Sequence, residues 1–178
     1  MSTAWLEGIQ VIADCEMSLE KSGLTRSVFL RPEEIVKVAE NLKNHEYFIE
    51  DLSVLDTSDG FMVVYHFDHY EQPGRVALRV LVPRDAPIVP TISQIFPGAD
   101  WHERECHDFF GLTFDGHKNL LPLLLPEDAD FHPLIKEDTK RKPIVDLMSP
   151  GEVRQSTPEF EALFTKPDDQ EGEQDKSD

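Results

Sequence analysis

The densest run of chemically capable side chains lies between residues 99 and 117: Ala99-Asp100-Trp101-His102-Glu103-Arg104-Glu105-Cys106-His107-Asp108-Phe109-Phe110-Gly111-Leu112-Thr113-Phe114-Asp115-Gly116-His117. His102, Glu103, Glu105, Cys106, His107 and Asp108 are all potential metal ligands, but their spacing works against a closed site. A zincin helix sets two histidines four apart with a glutamate after the first. Here His102 and His107 are five apart and fall on different helix faces. Glu103 and His107 share a face, yet two ligands from one helix do not close a site. General acid–base chemistry by Glu103, Glu105, His107 or Asp108 is open on residue type alone. No nucleophile motif, glycine-rich phosphate loop or dinucleotide fingerprint accompanies them. Arg104 and Asp108 are four apart with the cation N-terminal, the weaker orientation for a pair within one helix. Each is therefore free to reach another element or another chain, where a bidentate arginine contact gives specificity without catalysis. The same charges could equally form an intradomain network or a solvated face.

Several elements must position this run. Asp100 is placed to cap a helix over 101–110, and Gly111 to stop it. Upstream, 27–30 reads as a short strand. A helix over 32–43 follows, with Pro32 in its first turn, Glu33 and Glu34 at its positive end, and Ile35, Val36, Val38, Ala39 and Leu42 on one face. After Asn44 the period changes to two: Phe48, Leu52 and Val54 alternate against Ile49, Asp51 and Ser53. Residues 56–60 are turn chemistry. In the strand over 61–69, Phe61, Val63, Tyr65 and Phe67 face one way and Met62, Val64 and His66 the other. A turn at 72–74 leads to a third strand, with Val76, Leu78, Val80 and Val82 opposite Ala77, Arg79 and Leu81. The expected core is an antiparallel meander covered by the preceding helix. Residues 83–90 read as a proline-containing loop and 91–96 as a short helix ended by Pro97-Gly98. No strong period marks residues 1–23. Beyond 112 the chain is rich in proline and loop signals through 143; 160–164 is the last place with packing potential, and 166–178 has the composition of a disordered acidic tail.

Composition narrows the function classes. The chain has 178 residues, with 17 Lys and Arg against 35 Asp and Glu, a formal charge of −18. It lacks the clustered cations that phosphate backbones require, which argues against nucleic acid as a partner. Two cysteines, Cys15 and Cys106, are far apart, so neither a disulfide framework nor a zinc ribbon is expected. An iron–sulfur cluster takes about four thiolates, more than this chain holds. The N-terminal residues lack signal-peptide features, and no stretch approaches a membrane span; the apolar patch 120–125 is short and contains Pro122.

The ordered pattern from Trp101 to His117 resembles the signature of the C-subunit family of NADH:quinone oxidoreductase, respiratory complex I. In that family Glu-Arg-Glu, two residues, Asp, two apolar residues, Gly, a spacer, Phe, one residue and Gly-His recur in order. The likeness continues through Leu125-Pro126-Glu127-Asp128 and His132-Pro133-Leu134, with Asp51-Leu52-Ser53 and Val64-Tyr65-His66 upstream, and covers residues 28–140.

The resemblance implies an α+β fold, with a mixed, mainly antiparallel sheet covered by helices on one side, followed by an extended C-terminal arm. The implied division is a domain over 1–115, a proline-rich docking arm over 116–165 and a disordered acidic tail over 166–178. It also implies a docking subunit without catalytic residues or cofactors of its own, on the cytoplasmic face of the cell membrane, in a complex that passes electrons from NADH to quinone and translocates ions. Iron–sulfur clusters, flavin, NADH and quinone would belong to partners, above all the quinone-site, D-like chain and an iron–sulfur subunit. Glu103, Arg104, Glu105, Asp108, Gly111, Gly116, His117, His132, Pro133 and Lys136 carry the expected interface or structural signature. Where the family usually has Arg-Arg after Gly-His, this chain has Leu121 and Pro122. It has Lys118 where a proline usually follows Gly-His, and Ile135-Lys136-Glu137 in place of Arg-Lys-Asp. These departures leave open the equivalent subunit of an F420H2 dehydrogenase or of a membrane-bound hydrogenase. A free-standing enzyme using the His and Glu cluster also stays open.

Overall fold

Hydrophobic alternation organises the chain around a six-stranded sheet, seen in a computed structural model that describes residues 3–72, 74–148 and 152–163. In chain order the elements are a 3-10 turn Ala4–Leu6, β1 (Val11–Glu16), α1 (Leu19–Ser22), β2 (Arg26–Leu30), a 3-10 turn Pro32–Glu34 running into α2 (Ile35–Asn44), β3 (Tyr47–Thr57), β4 (Gly60–His69) and β5 (Val76–Val82). Then come β6 (Ile88–Pro90), α3 (Ala99–Phe110), β7 (Thr113–Asp115), a 3-10 turn Asp138–Lys140, α4 (Ile144–Leu147), β8 (Glu152–Ser156) and α5 (Pro158–Ala162). The sheet order is β3-β4-β5-β2-β1-β8. Within this sheet β2 and β5 run parallel and the other pairs antiparallel, so the sheet is mixed and mainly antiparallel, as expected for an α+β domain.

The meander forms with the expected facing. Phe61, Val63, Tyr65 and Phe67 of β4 join Val76, Leu78, Val80 and Val82 of β5 under Ile35, Val38, Ala39 and Leu42 of α2 and under Ala99 and Cys106 of α3. Each large apolar side chain removed from water there contributes roughly 1.5–3 kcal/mol. On the opposite face, Met62, Val64 and Ala77 pack with Ala13, Cys15, Phe29, Ile144 and Phe160. The long helices lie on one face, and short turns from the C-terminal part cover much of the other. Of the segment read as an arm, residues 152–156 join the sheet beside β1; residues 164–178, which include the acidic tail, lie outside the described residues.

Four local expectations need correcting. A bulge between Ile49 and Asp51 shifts the phase of β3, so Tyr47 and Ile49 share the core face with Leu52 and Val54. Phe48 instead stacks on Tyr70, with ring centroids 4.6 Å apart; one extra residue in a strand swaps the faces of everything before it. Residues 91–96 make one turn, held by Ile95 N–H and Phe96 N–H on the Ile92 carbonyl, rather than a helix. Asp100 sits inside the first turn of α3 and Gly98 occupies the cap position without a side-chain bond. The proline loop contains a strand, β6, paired parallel to β7. Gly111 does end α3, in the left-handed region at φ 73°.

Candidate docking site

Helix α3 binds its own arm. Asp108 is 3% exposed, and its Oδ2 accepts the backbone N–H groups of Leu123, Leu124 and Leu125 at 2.8, 2.7 and 3.1 Å. Burial alone would raise the Asp108 pKa; these three donors outweigh it and hold the carboxyl below its ordinary value. One turn earlier, Arg104 donates from Nε to the Leu121 carbonyl and from Nη2 to the Pro122 carbonyl, both at 2.9 Å. The two residues therefore do not pair with each other. They grip consecutive stretches of the loop after the Gly-His turn.

The clamp continues along the arm. The His132 ring donates from Nδ1 to the Asp108 carbonyl at 2.7 Å and lies over Gly111, where a β-carbon would come within 2.8 Å of Nε2. Gly111 is thus required twice, by its positive φ and by this close approach. Leu134 N–H donates to the Phe109 carbonyl at 3.1 Å. At the far end, Asp56, whose side chain is fully buried, accepts from Lys136 N–H at 2.7 Å, from Arg141 Nε at 3.2 Å and from Arg84. Burial raises the Asp56 pKa, but these donors carry it below the ordinary value. Asp56 was placed in a turn by sequence; the structure makes it the anchor of the arm's middle part, at Lys136 and Arg141.

Glu103 lies on the inward face of α3 with no exposure. It accepts from Ile92 N–H at 2.8 Å and from the Thr91 hydroxyl. Desolvation pushes its pKa up to about 7, against the pull of those donors and with a further push from Asp100. His117 reaches the same place: Nδ1 accepts Asn119 N–H at 3.1 Å, and Nε2 lies 3.5 Å from Asp100 Oδ2 and 3.8 Å from Glu103 Oε2. Because Nδ1 accepts, the neutral ring carries its proton on Nε2, facing the two carboxyls. Gly116, at φ 81°, shapes the turn that brings His117 there, and Gln94 Nε2 donates to its carbonyl at 3.3 Å.

The signature residues therefore separate. Glu103, Arg104, Asp108, Gly111, Gly116, His117 and His132 gather around α3, and Lys136 joins the Asp56 end of the arm. Glu105 and Pro133 are exposed, and Glu105 makes no ion pair among the described residues. His107 donates from Nδ1 to the Leu112 carbonyl at 2.7 Å and is a helix-end bond rather than part of an acid–base pair. Cys15 and Cys106 are buried on opposite faces of the sheet. Among the described residues no three His, Cys, Asp or Glu side chains converge on a point that could hold a metal. Sequence reasoning missed Asp56, Thr91, Arg84 and Arg141. The one signal for Asp56 was an acid sharing the strand phase of Leu52 and Val54, where an apolar residue would be expected.

With Arg104 and Asp108 bound to the arm, α3 presents a surface that nothing among the described residues covers. Trp101 is 69% exposed, and Leu121 and Leu124 are 60% and 63% exposed. Trp101 and Leu124 line a notch of about 550 Å³ together with Pro97, His102, Glu105 and Leu123. Residues 28–143, well over half the chain, match the family described as respiratory-chain NADH dehydrogenase, 30 Kd subunit. The chain belongs to that family. The C subunit of NADH-quinone oxidoreductase from Roseiflexus sp. (strain RS-1) is 41% identical over 118 residues, covering 62% of this chain and 68% of the relative. The C/D subunit of NADH-quinone oxidoreductase from Methylococcus capsulatus is 37% identical over 113 residues, 63% of this chain but 19% of that longer protein. The membrane-bound sulfane sulfur reductase, an archaeal respiratory membrane complex, contains a chain that superposes with TM-score 0.56 at 23% identity, over 61% of this chain and 68% of its own, a likeness of fold.

The family match gives the clamp its context. In this 30-kDa-type subunit the matched span starts inside β2 and ends just before α4. It holds the meander, α3 and every clamp contact named above, and it leaves out β1, β8 and α5. No helix among the described residues is long and apolar enough to cross a membrane.

Proposed function

We propose that the chain is a docking subunit of the hydrophilic arm of a membrane-associated NADH:quinone oxidoreductase, and that it packs against the quinone-site, D-like partner. The carrying observation is the exposed apolar group made by Trp101 on α3 with Leu121 and Leu124 on the loop that Arg104 and Asp108 hold against that helix. Tryptophan is among the residues most often found at the energetic centre of an interface, and a pre-fixed loop loses little conformational entropy on docking. The double C/D designation of the Methylococcus relative, in which the matched part is one portion of a longer chain, supports a D-like neighbour.

In this reading the division into a domain over 1–115 and an arm over 116–165 is one of roles. The first builds the scaffold and contributes Trp101, and the second adds Leu121 and Leu124 to the docking surface. Iron–sulfur clusters, flavin, NADH and quinone sit in partner subunits, an iron–sulfur subunit among them. Electrons pass through those partners to quinone with coupled ion translocation. Membrane association, at the cytoplasmic face, comes through the complex.

The test is assembly. Trp101→Glu and Leu124→Glu place charge on exposed positions, so circular dichroism and thermal unfolding should match the unaltered chain. Co-purification of oxidoreductase subunits from native membranes should fall by tenfold or more, as about 2 kcal/mol lost at an interface anchor implies. Undiminished co-purification beside a folded variant would reject the docking surface. A flavin, metal or turnover found in the purified chain alone would reject the non-catalytic role.

A further inference from the structure

Arg79 of β5 stands apart from the other arginines whose side chains are described. Arg26 pairs with Asp14, Arg31 with Glu159, Arg75 with Glu50, Arg84 with Asp56, and Arg141 with Asp56 and Asp138. Arg104 donates to two carbonyls. Arg79 has a single neutral partner: its Nε donates to Ser27 Oγ at 2.9 Å, and its guanidinium carbon lies 5.9 Å from the centre of the Phe29 ring. In a chain with 35 acidic against 17 basic residues, a half-buried cation with no ion pair among the described residues is a departure that calls for a ligand.

The surroundings sharpen the point. Burial lowers the Arg79 pKa, and the one group opposing that is Cys15. The Cys15 thiol is itself pushed up by burial and by Asp14, so it carries no charge at neutral pH. The nearby acids are committed elsewhere: Glu50 to Arg75, Asp14 to Arg26, and Asp51, 3.5 Å from His66 Nδ1, to that ring. Arg79 forms part of the wall of a cleft of about 390 Å³, lined also by Ser22, Leu24, Glu50, Asp51, His66 and Arg75.

We propose that this cleft is a binding site for a single carboxylate group, received by the Nη end of Arg79. The guanidinium is a planar fork whose two terminal nitrogens match the two oxygens of a carboxylate, and Ser27 already orients the fork through Nε. Phe29 beneath it limits competing hydration. Glu50 and Asp51 in the same wall oppose any anion and a dianion more strongly than a monoanion, so a carboxylate is favoured over a phosphate or sulfate dianion. Two sources carry that chemistry. One is the chain's own sequence beyond α5, which contains Asp168, Asp169, Glu171 and Glu173; α5 contributes Phe160 to the same face of the sheet. The other is a free small carboxylate.

The full-length chain, labelled with ¹⁵N, is titrated with sodium acetate against sodium chloride at equal ionic strength while the arginine Nε–Hε signals are followed. The Arg79 signal should move saturably with acetate and not with chloride. Followed through the backbone amide signals of Ser27 and Phe29, which every variant retains, Arg79→Lys, which keeps the charge but loses the fork, should bind acetate about five-fold or more weakly, and Arg79→Gln, which keeps a donor for Ser27, should show no saturable binding. A chain carrying D168N, D169N, E171Q and E173Q separates the sources. Tighter acetate binding there identifies the chain's own acids as the resident carboxylate, and unchanged binding identifies a free one. An Arg79 signal that responds equally to acetate and chloride in both the unaltered and the neutralised chain overturns the proposal. That result would leave the docking surface at Trp101 untouched.

Discussion

Glu103→Gln should make the protein more stable at alkaline pH and leave it unchanged in acid. Glu103 is fully buried, and its pKa is raised from 4.5 to about 7. The folded state therefore binds a proton more tightly than the unfolded chain does. Below the unfolded value both states are protonated and the carboxyl costs nothing. Between 4.5 and 7 the unfolded chain releases the proton first and stability falls, and above 7 the full cost is present. At about 1.4 kcal/mol per pH unit, the span from 4.5 to about 7 corresponds to about 3 kcal/mol. Glutamine is neutral throughout, and its amide oxygen can still accept Ile92 N–H. The stability difference between the variant and the unaltered chain should thus grow from near zero at about pH 4.5 to about 3 kcal/mol at about pH 8.5. Urea unfolding across that range measures it. His117 Nε2 and Asp100 border the same carboxyl, so His117→Asn serves as the control. A difference that stays flat with pH, or a pH dependence that disappears in His117→Asn while persisting in Glu103→Gln, would refute the assignment of the proton to Glu103.

Two further outcomes test the clamp. Asp108→Ala strands three backbone N–H groups and should cost about 2–4 kcal/mol, since bonds to a charged acceptor are worth about 1.5–3 kcal/mol. Amide exchange at Leu123, Leu124 and Leu125 should accelerate more than exchange in β4. The Asp108 carboxyl is held below its ordinary pKa, so this stabilisation is present above the unfolded value and lost as pH falls through the folded one; the acid limb of the stability curve should be shallower in Asp108→Asn. Gly111→Ala forces a side chain into the left-handed region and onto His132. It should cost roughly 1–3 kcal/mol and shift the His132 ring resonances, whereas unchanged ring shifts would show that His132 does not rest on Gly111.

Much of the scaffold was legible because period and burial agree. In β4 and β5 both faces are buried but differ in side-chain size and polarity, and in α2 a single stripe faces the core. The misplaced Phe48 shows the limit: nothing local in Glu50 announces a bulge, and a bulge reverses every earlier residue of its strand. β1 was unreadable for a related reason. Its Asp14 is buried and ion-paired to Arg26, which breaks the alternation that marks a strand. Around α3, the sequence exposed the residue set but not its direction. The weak orientation of Arg104 and Asp108 correctly turned both outward from each other, while their targets are main-chain atoms of a loop, which carry no sequence signal at all.

That direction of bonding changes what the charged signature can do for an assembly. Backbone carbonyls at 121–122 are offered by any residue type and backbone N–H groups at 123–125 by any but proline, so the clamp tolerates most changes of side chain at those positions. Leu121 and Pro122 stand where the family usually has two arginines, and the loop is nonetheless gripped. Its outward side chains are thereby freed to vary with the partner. Under the proposed docking role, selectivity would rest on the exposed apolar group and its acidic rim at Glu105, while Arg104 and Asp108 hold the loop. A transplant separates the two roles: Leu121→Arg together with Pro122→Arg should retain the frame, with exchange protection of 123–125 intact, while altering which oxidoreductase subunits co-purify. Loss of protection at 123–125 would show instead that frame and display cannot be divided in this way.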